Sequence, residues 1–339
     1  VEYFRGNAKQ LAEDGYFTDF ISNGVSTELC FMAFCAFTLI IIFAGVQNGI
    51  ERVSKIMMPI LIVLSVIIAV YSVTRPGALA GVKYFLVPNP ANFSWMTVVS
   101  AMGQMFYSLS IAMGILITFG SYMKKDTAIE DSTRNVEIFD TGIAIMAGLM
   151  IIPAVFAFSG GDPDTLQAGP SLMFITIPKV FQNMGFGTVI GIVFFLLVLF
   201  AAVTSSIALT ESAVSTFEDE LGWGRKKATV LVGVIMLALG SLSSLGYGPL
   251  AGIKIIGMQF LDLFDFLTNS VMMPIAALLT SLLVSRVVGI DKIEDEIIHG
   301  ESAFRRKKVF VVMIKYLCPV FAIIILLSSV ANALGWIKM

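Results

Sequence analysis

Four groups of polar residues interrupt the apolar stretches of this chain, and their types suit an ion or another polar ligand. Gly103-Gln104-Met105-Phe106-Tyr107-Ser108-Leu109-Ser110-Ile111-Ala112-Met113-Gly114 sets two glycines around polar side chains in the middle of an uncharged run. A continuous helix has no need of that composition. A helix that unwinds there frees carbonyls and N–H groups, which must then meet a ligand or an ion. The competing interpretation is an unbroken helix with a small-residue packing seam. Ala201, Thr204 and Ser205 share one helical face at i, i+3 and i+4. One carbonyl and two hydroxyls there offer hard oxygen ligands to an alkali cation, although Ser and Thr in apolar helices commonly bond back to their own backbone. Asp140 opens the apolar run that follows it. It reads either as an interfacial charge, with Glu137 one turn earlier, or as an acidic ion ligand. Asp262 and Asp265 stand one turn apart ahead of Thr268 and Asn269, as a solvated cap or as gate carboxylates.

The elements that hold these groups are membrane spans. Of 339 residues, 57% are hydrophobic and only 14% charged, and the mean hydropathy is +0.88. A soluble domain carries about 25% charged residues, so this chain has too few to cover a water-facing surface. Disorder is excluded by the same figures. The net charge of −2 leaves no footprint for nucleic acid. Cys30, Cys35 and Cys318 lie in apolar runs without a CxxC pair and form neither a disulfide framework nor a metal site. His299 is the only histidine, which excludes the usual zinc sets and Ser/His or Cys/His catalysis. With Asp262 and Asp265 on one helix near a surface, no intramembrane catalytic dyad remains, and an enzyme is not expected.

Eight stretches approach the ~20 residues that cross a bilayer. They predict spans near 29–46, 56–74, 95–123, 137–158, 184–215, 228–250, 260–286 and 312–337, in a single all-α, polytopic membrane domain covering 29–339. Residues 1–28 form a leader. The segment 159–183 holds Asp162-Pro163-Asp164 and an apolar stretch, Ser171–Val180, that Pro178 breaks and that is too short to span. A re-entrant or cap-forming helical hairpin is expected there. Arg52, Lys55, Lys124, Lys125, Arg134, Arg225, Lys226, Lys227, Arg286, Lys292, Arg305, Arg306, Lys307 and Lys308 fall on one side of the alternating loops; Arg5, Lys9, Arg75, Lys83, Lys179, Lys254 and Lys338 fall on the other. The positive-inside rule makes the first set cytoplasmic, and the leader, the 159–183 loop and the C-terminus extracytoplasmic. The sequence begins at Val1 with no signal peptide before its first span, and the expectation is that upstream spans are missing from it.

Taken together, the clusters resemble the neurotransmitter:sodium symporter family, in its bacterial amino-acid branch. The specific pieces are Gly-Gln-x-Phe-Tyr-Ser-Leu-Ser at 103–110, Phe-Ala-Ala-Val-Thr-Ser-Ser at 200–206, Phe-Glu-Asp-Glu-Leu-Gly-Trp at 217–223 and Asn-Gly-Ile-Glu-Arg at 48–52. Ile-Pro-Ala-Val-Phe-Ala-Phe at 152–158 and Lys-Tyr-Leu-Cys-Pro at 315–319 match as well. The resemblance implies an inverted-repeat (5+5) symporter fold without its first three helices, one of the eight present being discontinuous. It implies sodium-coupled import of a small hydrophobic or aromatic amino acid by alternating access, in a plasma (bacterial inner) membrane.

Residue by residue, the resemblance makes Tyr107 the aromatic lid over the substrate and Ser108 the hydroxyl ligand of a first sodium. Ser110 faces the substrate amine through its carbonyl, Met113 and Leu209 line the side-chain pocket, and Ser205 joins the substrate set. Asp140 matches the seventh-span ligand of the first sodium. Ala201, Thr204 and Ser205 match the second sodium site. Asp265, with Asp262 as the nearer alternative, resembles the acidic half of an outer gate, and Asp219 with Tyr122 an inner-gate network. Some relatives need chloride, or a glutamate one turn after the Asp140 position, for charge balance. This chain has Ile143 there, so Asp140 is expected to supply the charge and chloride is expected not to be required. The partners implied are amino acid, sodium and lipid bilayer, without nucleic acid and with homo-oligomerisation left open. Two other readings are a proton-coupled amino-acid permease of the same fold, which the Thr204/Ser205 pair disfavours, and a non-transporting truncated fragment.

Overall fold

The computed structural model describes residues 2–13, 15–90, 93–162 and 169–333. Pro163 and Asp164 of the loop motif, and residues 334–337 of the eighth expected span, lie outside them. Among the described residues the chain is helical and has no β-strand; an isolated antiparallel bridge joins Ile255 and Met258. Among the described residues, seven helices are long and apolar enough to cross a bilayer: Gly24–Phe43, Val46–Val73, Ile129–Ser159, Gly187–Leu221, Arg225–Leu245, Phe260–Val288 and Lys307–Ala333. The stretch 95–123 forms instead two shorter helices, Trp95–Ser108 and Ile115–Ser121.

Helix ends depart from the apolar stretches by several residues, and local chemistry accounts for the shifts. The first long helix starts at Gly24 because the Asn23 side chain accepts the Ser26 N–H. Its early turn can carry Glu28 because the hydroxyls of Ser241 and Ser244 both donate to that carboxylate. The next helix takes in the charges of Glu51, Arg52 and Lys55, entered through a π-helical turn at Val46–Glu51 after Gly45 at φ +88°. Pro178 does not break the 171–182 segment. It sits in the first turn of Ile177–Gln182, where a missing N–H costs nothing.

The chain divides into two compact units. The first comprises Val1–Pro90, Thr141–Thr210 and Trp223–Ile253. Its core joins Ile68 and Ala69 to Met150, Ala154 and Val155, to Ile177, Val180 and Phe181, and to Ile190, Phe194 and Leu197. Buried Ser72 donates to the Met150 carbonyl at 2.6 Å, fixing two spans to one another. Close approach relies on glycine. A Cβ on Gly240 would meet the Phe31 ring at 2.1 Å, and one on Gly81 would meet Pro153 Cα at 2.8 Å. In hydrocarbon, where water drives no helix together, such small-residue grooves supply the packing.

The second unit comprises Ala91–Asp140, Glu211–Gly222 and Lys254–Met339. Phe106, Met273, Ala277, Ala322 and Ile325 form its core, joining the helix before the break to Met273–Leu282 and Cys318–Ala333. Polar groups lock one end. Arg306 Nη1 reaches Glu137 at 2.9 Å, Glu301 Oε1 accepts the Glu130 N–H at 2.6 Å, and Glu130 Oε2 accepts the Arg305 N–H at 2.9 Å.

Candidate functional site

The polar groups of the second unit gather around the break in the 95–123 stretch. Ser94 caps its first helix by accepting the Thr97 N–H at 3.1 Å. The helix runs to Ser108 and then loses its register. Ser110 (φ +53°), Ala112 (φ +63°) and Gly114 (φ +80°) adopt left-handed backbone. Side chains other than glycine pay about 1–3 kcal/mol for that geometry and hold it only where the surroundings impose it. Backbone bonds bridge the break from Ser110 N to Tyr107 O and from Ile111 N to Phe106 O. Among the described residues, no backbone N–H donates to the carbonyls of Leu109, Ile111, Ala112 or Met113. The helix resumes at Ile115. A Cβ on Gly114 would lie 2.6 Å from Ser212 Oγ, which would have to turn away.

Ser108 and Asp140 meet at this break. The Ser108 hydroxyl donates to Asp140 Oδ1 at 2.7 Å, across 32 residues of sequence. Asp140 lies within the helix Ile129–Ser159, which fixes its backbone, and it is half-buried. A carboxylate, a hydroxyl oxygen and carbonyls without helical partners thus lie close together, the donor set a hard cation takes.

Beside the break is a cavity of about 330 Å³ lined by Gln104, Tyr107, Asp265, Asn269, Met273 and Ser329, among others. Tyr107 and Asp265, expected as lid and gate, therefore border one space. Asn269 Nδ2 donates to Asp265 Oδ1 at 2.6 Å, orienting the carboxylate. Asp262 lies one turn earlier and is not on the cavity wall.

Tyr122 also finds a carboxylate. Its hydroxyl donates to Oε1 of Glu211 at 2.7 Å, and Glu211 is fully buried. Next to it, Thr118 donates to Ser212 at 3.4 Å. Asp219, the expected companion of Tyr122, lies eight residues further along Gly187–Leu221. Glu211 escaped the sequence reading, although a carboxylate inside an expected span is itself a signal of function.

In the first unit, the Thr204 hydroxyl donates to the carbonyls of Phe200 at 3.1 Å and Ala201 at 3.0 Å. Its one proton is committed there, which leaves the oxygen lone pairs as acceptors. Ser205 and Leu209, one turn apart on Gly187–Leu221, are exposed within this unit. Ser206 faces the other way and shares a 3.1 Å hydrogen bond with buried Thr38. Met113 is half-buried at the break in the second unit. Among the described residues, no group of three or more His, Cys, Asp or Glu is placed to hold a metal ion.

A model of the sodium:neurotransmitter symporter family matches residues 1–336. The chain is 33% identical to the uncharacterized sodium-dependent transporter YhdH of Bacillus subtilis, over 97% of its own length and 73% of that protein's. It is 29% identical to the uncharacterized sodium-dependent transporter MJ1319 of Methanocaldococcus jannaschii, over 87% of the chain and 59% of that protein. An uncharacterized sodium-dependent transporter of Haemophilus influenzae is 30% identical over 88% of the chain, which spans 64% of it. Among solved structures, MhsT in complex with L-phenylalanine superposes with a TM-score of 0.83 at 33% identity, covering 97% of this chain and 74% of that one.

Proposed function

We propose, on the premise that this chain belongs to the sodium:neurotransmitter symporter family, that it serves the sodium-coupled uptake of a small apolar or aromatic amino acid. It is a multi-pass membrane protein, with several helices long and apolar enough to cross a bilayer. We count Trp95–Ser108 and Ile115–Ser121 as the halves of an eighth, discontinuous crossing, in an inverted-repeat fold that the chain carries in part.

The observation that carries this reading is the Ser108–Asp140 contact at the break. We assign both oxygens to a first sodium ion, with Asp140 supplying the negative charge that makes chloride dispensable. A second sodium takes the Ala201 carbonyl and the hydroxyls of Thr204 and Ser205. Sodium here is cargo, moving down its gradient with the substrate. On the break, the Ser110 carbonyl accepts from the substrate ammonium, Tyr107 covers the substrate, and Met113 meets its side chain. Separately, Ser205 and Leu209 are assigned to the substrate on the strength of the resemblance. Met113 and Leu209 are apolar and unbranched at Cβ. A charged substrate would leave its charge unpaired against them, at a cost of several kcal/mol on the order of that for any buried ion. The L-phenylalanine named with MhsT is of the class this composition favours.

We assign Asp265 to the outer gate, supported by its place on the cavity wall with Tyr107, and keep Asp262 as its neighbour. Tyr122 and Asp219 serve the inner gate, joined by Glu211. Alternating access exposes the site to each side in turn, with the leader and the C-terminus outside. The test is uptake of radiolabelled L-phenylalanine and L-leucine into proteoliposomes. Accumulation is expected with an inward sodium gradient and not with choline in its place. Equal uptake in choline under an inward proton gradient would assign the protein to the proton-coupled class instead.

A further inference from the structure

The first unit carries a cavity of about 390 Å³ that lies apart from every residue assigned to transport. Its wall comes from three places where membrane helices begin or end. Arg75 and Pro76 follow Val46–Val73, Ala157 and Phe158 close Ile129–Ser159, and Asn183, Met184 and Gly185 precede Gly187–Leu221. Three bilayer-length helices with their ends together put the cavity at the depth of lipid headgroups, where hydrocarbon gives way to water.

This wall holds one cation and no acid. Arg75 is half-buried and makes no ion pair among the described residues. An arginine just past a helix can simply cap the last carbonyls, and Arg75 does so in part. Its Nε donates to the Tyr71 carbonyl at 3.1 Å, and Nη2 reaches Thr74 Oγ1 at 3.4 Å. A guanidinium has five donors, and the Nη1 pair finds no acceptor among the described residues. Capping therefore accounts for the stem side of the fork and leaves its outer side idle.

The fork is also held in one orientation. Arg75 Cζ lies 4.3 Å from the centre of the Tyr71 ring. The Tyr71 hydroxyl donates in turn to the carbonyl of Gly185, another part of the same wall. Gly185 leaves its own N–H without an acceptor among the described residues. A fixed guanidinium and a spare backbone N–H on one cavity are the donor set for a planar or tetrahedral oxyanion. The remaining wall, Pro76, Ala157, Phe158 and Met184, is apolar, and Phe158 is 42% exposed at its edge.

We propose that this cavity binds the phosphate of an anionic phospholipid. Arg75 pairs with the non-bridging oxygens through its Nη groups, the Gly185 N–H adds a donor, and the acyl chains lie along exposed Phe158 and Val73. The volume falls toward the small end of the range for ligand sites, which suits a headgroup and leaves the chains outside.

The inference goes beyond the transport reading and needs neither sodium nor substrate for its test. The full chain, stripped of lipid in detergent, is titrated with phosphatidylglycerol and, separately, with the matching diacylglycerol, which has no phosphate. Native mass spectrometry reads the affinity for the first bound lipid. Phosphatidylglycerol is expected to bind saturably and at least about tenfold more tightly than diacylglycerol, the scale of a charge-assisted hydrogen bond. Arg75→Gln is expected to erase that difference. Arg75→Lys keeps the charge and loses the fork; it is expected to bind several-fold more weakly than wild type, and it carries the test should Arg75→Gln fail to fold. Lys83→Gln, which removes an exposed cation on the neighbouring helix Ala78–Leu86, is expected to change nothing. Displacement by excess sn-glycerol 3-phosphate would support the phosphate site and add free phosphate esters as occupants; persistence of the lipid would support a chain-anchored headgroup. Equal binding of the two lipids, undiminished binding by the Arg75 variants, or an equal loss in Lys83→Gln overturns the proposal.

Discussion

At the scale of single residues, the proposed chemistry concentrates on a few oxygens. Asp140 could have packed as an interfacial charge, yet it accepts from Ser108 beside an unwound helix. Asp140→Asn keeps the shape and removes the charge. Sodium-dependent substrate binding by that variant is expected to fall on the order of 100-fold, the scale for losing one partner of a desolvated charge pair. Binding titrations against sodium concentration measure it. Gly114 is constrained twice, by φ +80° and by Ser212 Oγ at 2.6 Å from a would-be Cβ. Gly114→Ala is expected to destabilise the protein by about 2–5 kcal/mol, combining left-handed strain with overpacking, and to show as a lowered melting temperature with loss of uptake. The break was legible in the sequence only as one of two readings, because two glycines and a polar run suit an unwound helix and a small-residue packing seam alike. The left-handed residues were less so, since two of them are Ser110 and Ala112, types that do not advertise that backbone. Glu211 was overlooked because its partner Tyr122 is 89 residues away, and no local pattern connects them.

At the scale of elements, hydropathy pointed to the seven long apolar helices of the described residues but not to their ends. Charges extend the helices past the apolar stretches wherever a cap or a tertiary partner takes them, as Asn23 and the Glu28–Ser241–Ser244 set do for the helix at Gly24. The Asn23 cap is local, but Ser241 and Ser244 lie 213 and 216 residues from Glu28, so no window of sequence reveals them. Packing between elements rests on grooves that exclude side chains. Gly81→Ala would push a Cβ to 2.8 Å from Pro153 Cα and 3.0 Å from the Ile152 carbonyl oxygen, both backbone atoms unable to yield. The expected cost is about 1–3 kcal/mol, read as a fall in melting temperature in detergent. Uptake per folded molecule should stay close to wild type, because the helix Ala78–Leu86 carries none of the assigned ligands.

At the scale of the whole molecule, ion number decides how steep a gradient the protein can sustain. One sodium moving down ~100 mV releases about 2.3 kcal/mol, and a tenfold concentration ratio adds about 1.4 kcal/mol. Two ions therefore supply roughly 7 kcal/mol, enough for a substrate ratio near 10⁵, whereas one permits a few hundredfold. If both assigned sites operate, paired flux measurements of sodium-22 and labelled phenylalanine should give two ions per substrate; a ratio of one would remove the Thr204/Ser205 site. If Asp140 balances the charge as proposed, replacing chloride by gluconate should leave uptake unchanged, and a collapse would assign that duty to the anion.

The seven-residue half-helix Ile115–Ser121 is fastened just before it begins, where Gly114 abuts Ser212, and just after it ends, where Tyr122 holds Glu211. The unwound turn lies directly before it. If an ion there favours one setting of the Tyr122 clasp by some factor, the clasp must favour the ion by the same factor, because thermodynamic reciprocity allows no one-way influence. Tyr122→Phe, a change at a residue that is not itself an assigned sodium ligand, should therefore alter the apparent sodium affinity, and equilibrium binding at graded sodium would measure how strongly.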